Sequence, residues 1–295
     1  MFQRGSLWSS IRTATARALE SGELQPIPTE CEMAEEQGTQ FIIRVVRALA
    51  RKGNLLRPNR DAADHSNPFL PYHPEMFVAN VSGTHVCLLN KYNVVENHVL
   101  IVTRQFRHQE TRLTLSDFAA LWSGMAEFEG LGFYNSGASA GASQPHKHLQ
   151  LVPLPLAPSG LALPIDPLLA AVRYRNGLGR IPAFAFEHAV LQTGWTPRQS
   201  FRAAARASLD GYNALLAATG IQSRSRRPSP YNLLVTRQWM LIVPRTREFF
   251  GSISLNALAF AGTFLVHDRR QLEELRREGP MAALQHVTRP ASSST

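Results

Sequence analysis

His146, His148 and Gln150 occupy alternate positions in Gln144-Pro145-His146-Lys147-His148-Leu149-Gln150, immediately after a segment of small residues from Asn135 to Ser143. In an extended strand side chains alternate between faces, so these three nitrogen-bearing groups share one wall, about 6.6 Å from one to the next. Lys147, Leu149 and Leu151 then point the other way. A neutral imidazole attacks phosphorus well near pH 7, because one ring nitrogen can hold a hydrogen bond while the other presents its lone pair. His148, in the middle of the row, is the expected nucleophile. His146 would orient it through either its side chain or its backbone carbonyl, and Gln150 would offer an uncharged donor to a non-bridging phosphoryl oxygen.

The small-residue segment suits a phosphate for separate reasons. Gly137 and Gly141 allow backbone amides to approach closely, while Ser136, Ser139, Ser143 and Gln144 supply donors without bulk. It is neither a Walker loop nor a dinucleotide fingerprint. A His-x-His strand on its own also fits plain sheet structure or a metal site, and a metal would need third and fourth ligands. His65, His73, His85, His98, His108, His188 and Glu187 are available, but none stands at a diagnostic spacing. The adjoining loop and Gln150 favour phosphoryl or nucleotidyl transfer, with no metal site built from protein ligands.

The elements around this row follow from periodicity. Residues 5–22 carry Leu7, Ile11, Ala14, Ala18 and Leu19 at helical spacing and end near Gly22. Phe41 to Val46 reads as a strand, and Arg51 to Pro74 as a long polar loop. His85–Asn90 and His98–Thr103 should pair as a hairpin, followed by a helix from Leu113 to Phe128 entered through Thr114 or Ser116. The strand Phe133-Tyr134-Asn135 then leads into the loop and the histidine strand. A tighter hairpin, Tyr231–Thr236 with Trp239–Pro244, and a helix-like segment Ser254–Val266 repeat the order strand, strand, helix. Between them lie a proline-rich connector at 153–167, a helical stretch at 200–219 and a basic loop at 223–230 whose role stays open.

The bulk properties are those of a globular protein with a full core: 295 residues, 44% hydrophobic and 18% charged. The net charge of +9 comes from arginine, since Lys52, Lys91 and Lys147 are the only lysines. Such a surface attracts polyanions of any kind, so charge alone does not separate nucleic acid from nucleotide. Cys31 and Cys87 have no CxxC partner, and neither a signal peptide nor a membrane span is legible, so a cytoplasmic location is expected.

The run Gly141 to Gln150 resembles the His-x-His-x-Gln signature of the ATP adenylyltransferases, or diadenosine tetraphosphate phosphorylases, of the histidine-triad superfamily. Asn67-Pro68-Phe69, Leu89-Asn90-Lys91, Phe133 to Gly137, Tyr231-Asn232, Trp239-Met240 and Pro244-Arg245 resemble that family too, as do Ala18 to Gly22 and Thr29-Glu30. The resemblance implies an α+β, HIT-like fold similar to the galactose-1-phosphate uridylyltransferase architecture, with duplicated strand-strand-helix units around an antiparallel sheet. One catalytic domain would span residues 1–285, with halves at about 35–155 and 180–270 and a flexible tail at 286–295.

The implied reaction is reversible phosphorolysis of diadenosine tetraphosphate to ADP and ATP through an adenylyl group on His148. Gln150, where histidine-triad hydrolases carry a third His, goes with transferases. Asn90, eight residues before His98, matches by spacing the ribose-contacting residue of smaller histidine-triad proteins. Asn135, Ser136, Gly137, Ser143 and Gln144 are the expected phosphate contacts, with Lys52 for distal phosphates and Lys147 as a further candidate. Adenine nucleotides and inorganic phosphate are the expected partners of a monomer or homodimer, with Mg²⁺ accompanying the substrate phosphates and no nucleic acid or membrane partner. The rival readings are a hexose-1-phosphate uridylyltransferase, which usually has Pro inside the motif where this chain has Lys147 and Leu149, and a basic module binding metal or nucleic acid.

Overall fold

The structure is a computed structural model that describes residues 2–47, 67–156, 162–196, 199–221 and 227–291. The N-terminal part runs α1 (Leu7–Glu20), β1 (Thr29–Glu36), β2 (Thr39–Val46), β3 (Phe77–Asn80), β4 (His85–Leu89), β5 (Val99–Thr103), α2 (Leu115–Met125), β6 (Gly130–Asn135) and β7 (His148–Pro153). It continues with α3 (Asp166–Ala170), β8 (Leu178–Gly179), β9 (Ala189–Gln192), α4 (Phe201–Ala218), β10 (Tyr231–Val235) and β11 (Trp239–Pro244). Then come β12 (Phe249–Phe250), β13 (Ile253–Ser254), α5 (Ala257–Phe260), β14 (Thr263–Val266), α6 (Arg269–Glu278) and α7 (Pro280–His286).

Nine strands form one antiparallel sheet in the order β3-β4-β5-β7-β6-β10-β11-β9-β8. Alternation along its strands builds two apolar faces. On one, Val99, Ile101, Leu149, Leu151, Leu233 and Ile242 pack against α1, α2 and α4 through residues such as Ile11, Phe118 and Leu215. On the other, Phe133, Val152, Leu234, Leu241 and Val243 meet the C-terminal elements and Phe41 and Phe264 of a separate three-stranded sheet, β1-β2-β14. Each strand in the middle of the sheet is therefore apolar on both sides, and a polar row there stands out.

The duplication is present, but its unit is strand pair, helix, strand pair. β4-β5-α2-β6-β7 and β8-β9-α4-β10-β11 have the same order, and reading outwards from the β6–β10 junction gives 6-7-5-4 on one side and 10-11-9-8 on the other. The hairpin β10–β11 thus corresponds to β6–β7, not to the β4–β5 hairpin with which its sequence was matched. Apolar strands of either half share the same two-residue period, so the strand order in the sheet, and not the sequence pattern, decides the correspondence. The repeated unit covers 85–153 and 178–244, less than the halves drawn from sequence.

The helix at 7–20 buries Leu7, Ile11, Ala14 and Ala18, while Leu19 is 47% exposed because it lies one residue, about 100°, off that face. α2 starts through Thr114, whose side chain accepts from the Asp117 amide while Asp117 accepts from Thr114 N, a capping box that decides against Ser116. The segment Ser254–Val266, read as helical, is the short α5 followed by β14, which lies parallel to β2. β1 escaped the sequence reading because Thr29–Glu36 is mostly glutamate and polar. It is fixed by its turn, where Gln37 and Gly38 take φ of 51° and 75°, the left-handed pair that closes a two-residue hairpin.

The expected tail is also partly structured. Thr288 pairs with Arg245, Pro290 pairs with Phe186, and Val287 is fully buried. The long loop Arg51–Pro74 is described only from Asn67 onwards.

Candidate active site

His148 opens β7, pairing with Val102 of β5, and Gln150 pairs with Leu100 on that side and Phe133 of β6 on the other. The extended path continues back to His146: Thr103 N donates to Lys147 O, Lys147 N to Arg107 O and Gln109 N to Pro145 O. Alternation therefore holds through the motif. The rings of His146 and His148 lie beneath the Phe69 ring, with centroids 5.6 and 5.4 Å away, on the sheet face of Leu100 and Val102.

His148 is set up as a nucleophile. Its Nδ1 donates to the carbonyl of His146 at 2.8 Å, which fixes the tautomer with the lone pair on Nε2. Burial pushes its pKa down to about 4, with only partial opposition from that hydrogen bond, so the ring is neutral at physiological pH. Of the two ways His146 could orient its neighbour, the backbone carbonyl is the one used. Its own ring is occupied: Nε2 donates to Thr103 O at 2.8 Å, and Nδ1 accepts from the Asn67 amide at 2.9 Å. Burial lowers its pKa as well.

A fourth group, which the motif did not name, completes the row. His98 immediately precedes β5 and shares the face of Leu100 and Val102. Its Nδ1 accepts from Asn90 Nδ2 at 3.0 Å, and burial pushes it down to about 4 against the opposing pull of the Gln150 side chain. Asn90, expected at a ribose, thus spends its amide on His98 and keeps its carbonyl to offer. The signal for His98 was present in sequence as strand alternation and its spacing from Asn90.

Lys147 lies on the reverse side of the strand. Its ammonium donates to Asp117 Oδ2 at 2.8 Å and to Arg112 O at 2.7 Å, and its side chain is only 4% exposed, so it is not among the groups lining the His148 wall. Asp117 also receives His85 Nε2 on Oδ1 at 3.0 Å and Thr114 Oγ1 on Oδ2 at 2.8 Å. Burial disfavours its charge, yet the bonds from His85 and Lys147 hold its carboxyl well below the usual carboxylate range. The one residue of the motif that alternation sends away from the chemistry is a structural anchor.

The small-residue loop leaves β6 opposite these histidines. Gly137 has φ +89°, and a Cβ on it would stand 2.8 Å from Glu110 Cγ; Gly141 has φ +84°, and a Cβ there would meet Leu255 O at 2.8 Å. The glycines are needed for close packing against protein as much as for space near a ligand. The N–H groups of Ser143 and Gln144 have no intramolecular acceptor among the described residues, and Ser143 is exposed, so the arm leading into His146 offers amides to an anion. Ser136 does not match its expected role: it is fully buried, with its N–H bonded to Tyr231 O. Asn135 is also drawn inwards, its Oδ1 accepting from Asn232 Nδ2 at 2.8 Å and from Ala257 N at 3.0 Å, which leaves its Nδ2 hydrogens to offer. Lys52 lies outside the described residues.

Behind the loop, Arg245 gathers the C-terminal half. Its guanidinium donates to Asn232 Oδ1, Val287 O, Arg247 O and Leu255 O, and burial lowers its pKa to about 9. Asn232 in turn donates to Ala140 O at 2.8 Å, so the second half holds the loop in shape. In the family-like pairs Pro244-Arg245 and Tyr231-Asn232, Arg245 and Asn232 thus have a physical role.

Among the described residues no group of three His, Cys, Asp or Glu could hold a metal ion, and no helix is long and apolar enough to cross a membrane. Residues 1–171 match the family model of the Ap4A phosphorylase N-terminal domain, and residues 182–290 that of the ATP adenylyltransferase C-terminal domain. Diadenosine 5',5'''-P1,P4-tetraphosphate phosphorylase 2 of Saccharomyces cerevisiae is 28% identical over 310 residues, covering 92% of this chain and 91% of its own. Protein APA1 of the same yeast is 25% identical over 279 residues, covering 84% and 83%. The crystal structure of yeast Ap4A phosphorylase Apa2 has the same fold, with a TM-score of 0.78 at 24% identity over 100% of this chain and 98% of that one. With 171 of its 295 residues under the first family model and most of the remainder under the second, the chain belongs to the Ap4A phosphorylase family.

Proposed function

We propose that the protein cleaves diadenosine tetraphosphate by phosphorolysis, giving ADP and ATP, and that His148 carries the adenylyl group between the two steps. The observation that carries this reading is the state of His148: neutral, with Nδ1 tied to the His146 carbonyl at 2.8 Å and Nε2 left with its lone pair. Nε2 attacks the α-phosphorus, a P–N bond forms, and the P–O bond to the ATP leaving group breaks. An oxygen of inorganic phosphate then attacks the same phosphorus, the P–N bond breaks, and ADP leaves with the neutral imidazole restored.

Gln150 supports transfer to phosphate over transfer to water. Its side chain can donate to a non-bridging oxygen but cannot take a proton from water, which a third histidine at that place could do. The amides of Ser143 and Gln144, without an acceptor among the described residues, would balance the charge of a phosphate bound beside them. A Mg²⁺ ion accompanying the substrate would be held by phosphate oxygens and would neutralise their charge. The unpaired Cys31 and Cys87 and the adenine nucleotide substrates fit a cytoplasmic enzyme.

The test is diadenosine tetraphosphate cleavage with and without inorganic phosphate, with the products identified. ADP and ATP formed only with phosphate are expected. ATP and AMP formed without phosphate would make the protein a hydrolase and overturn the reading.

A further inference from the structure

The ladder between β6 and β7 stops one rung pair early. Gly130 pairs with Pro153 and the register runs to Phe133 with Gln150; continued, it would bring Asn135 opposite His148. That rung is replaced by a side chain. Gln109 donates from Nε2 to both Asn135 O at 2.9 Å and His148 O at 3.1 Å, and its Oε1 accepts from His148 N at 2.8 Å. One carboxamide, on a residue 1% exposed, thus satisfies both backbone groups of His148 and bridges across to the strand it has parted from.

The segment that carries Gln109 is itself fixed on both sides. Gln109 N donates to Pro145 O at 2.7 Å, Lys147 N donates to Arg107 O at 2.8 Å, and His108 pairs with His146. The buried hydroxyl of Tyr134 donates to the carbonyls of Gln109 and Thr111. Residues 107–109 act as a short extra strand wedged between the end of β6 and the His-x-His arm. This segment takes the place beside His148 that the next rung of β6 would have filled.

We infer that Gln109 is a positioning residue of the reaction: its carboxamide stands in for the missing rung, fixes the His148 peptide in place, and holds the sheet open beside the small-residue loop. The inference rests on the reading of His148 as adenylyl acceptor. Gln109 acts through the backbone of His148, so its loss should slow attack on phosphorus while leaving nucleotide binding nearly intact. A misplacement of about 1 Å costs on the order of 100-fold in rate.

The experiment follows single-turnover labelling of the full-length protein by diadenosine tetraphosphate carrying an α-phosphate label, with substrate affinity and thermal midpoint measured in parallel. Gln109→Met, of similar size and unable to make any of the three bonds, is expected to label about 100-fold more slowly with affinity changed less than about threefold. Gln109→Glu keeps the acceptor for His148 N and loses both donations, so it should also label slowly. It serves the same comparison if the methionine variant does not fold. Labelling at the wild-type rate per folded molecule, or a loss carried entirely by weaker affinity, would overturn the inference. Absence of label on the wild-type protein would instead sink the adenylyl-histidine reading itself.

Discussion

Lys147 and Asp117 form a buried ion pair of 2.8 Å on the side of the sheet opposite the His148 ring. The pair ties the catalytic strand to the first turn of α2, and His85 and Thr114 fill the remaining acceptor sites of the carboxylate. Removing one partner strands the other charge in a dry place, which costs about 3–5 kcal/mol. Lys147→Met should therefore lower stability by about that amount in urea unfolding, and adding Asp117→Asn should recover part of it. Adenylyl transfer per folded molecule should stay within about tenfold of wild type; a collapse of rate with unchanged stability would mean that Lys147 reaches the substrate after all.

His148→Ala should remain folded, since its ring makes one hydrogen bond to the adjacent chain. Loss of the nucleophile is expected to lower turnover by about 10⁴-fold or more. Mass spectrometry of the protein after mixing with diadenosine tetraphosphate should show an added adenylyl group on wild type and none on the variant. An undiminished adduct on the variant would place the nucleophile elsewhere.

His146 contributes mainly a carbonyl that every residue has, so His146→Ala should cost less than His148→Ala. Its ring holds Thr103 and Asn67 in place, and a loss of about 100-fold in kcat is expected from the resulting looseness. Equal losses from the two variants would show that the ring of His146 takes part directly.

Acid should weaken the fold before it touches the surface carboxylates. Burial lowers His98, His148 and His188 each to about 4 from a usual 6.5. The unfolded chain then binds these protons more readily, so stability present above pH 6.5 falls as the pH drops towards 4, by about 3 kcal/mol for each ring at most. Urea unfolding at pH 7 and pH 5 should show a marked loss, and a flat profile would contradict the buried, neutral state. The same shift keeps His148 unprotonated, so the acidic limb of kcat/KM should lie well below 6.5.

Strand alternation was enough to set His146, His148 and Gln150 on one wall and Lys147 behind it, because a period of two leaves no choice once the strand is given. The helix at Thr114 was equally legible, through its capping box. Gln109 was not: its extended segment is too short to show a period, and its role depends on β6 and β7 parting at a point set by tertiary packing. Ser136 misled for the opposite reason, since a small polar residue beside glycines fits both a ligand loop and a buried strand end. The parallel strand β14 was hidden because its partner β2 lies more than two hundred residues away in sequence.

The two-fold arrangement about the β6–β10 junction has a further consequence. β11 occupies in the second half the place that β7 has in the first, and there Trp239, Leu241 and Val243 form part of an apolar core. One unit holds the row of His146, His148 and Gln150, and the other supplies Asn232 and Arg245, which steady the loop of its twin. A molecule with identical ends would face two unlike halves on such a protein: His146, His148 and Gln150 leading into and along β7, and Trp239, Leu241 and Val243 along β11. With identical ends, attack at either would give the same pair of products, so unlike halves can decide which end reacts and not what is formed.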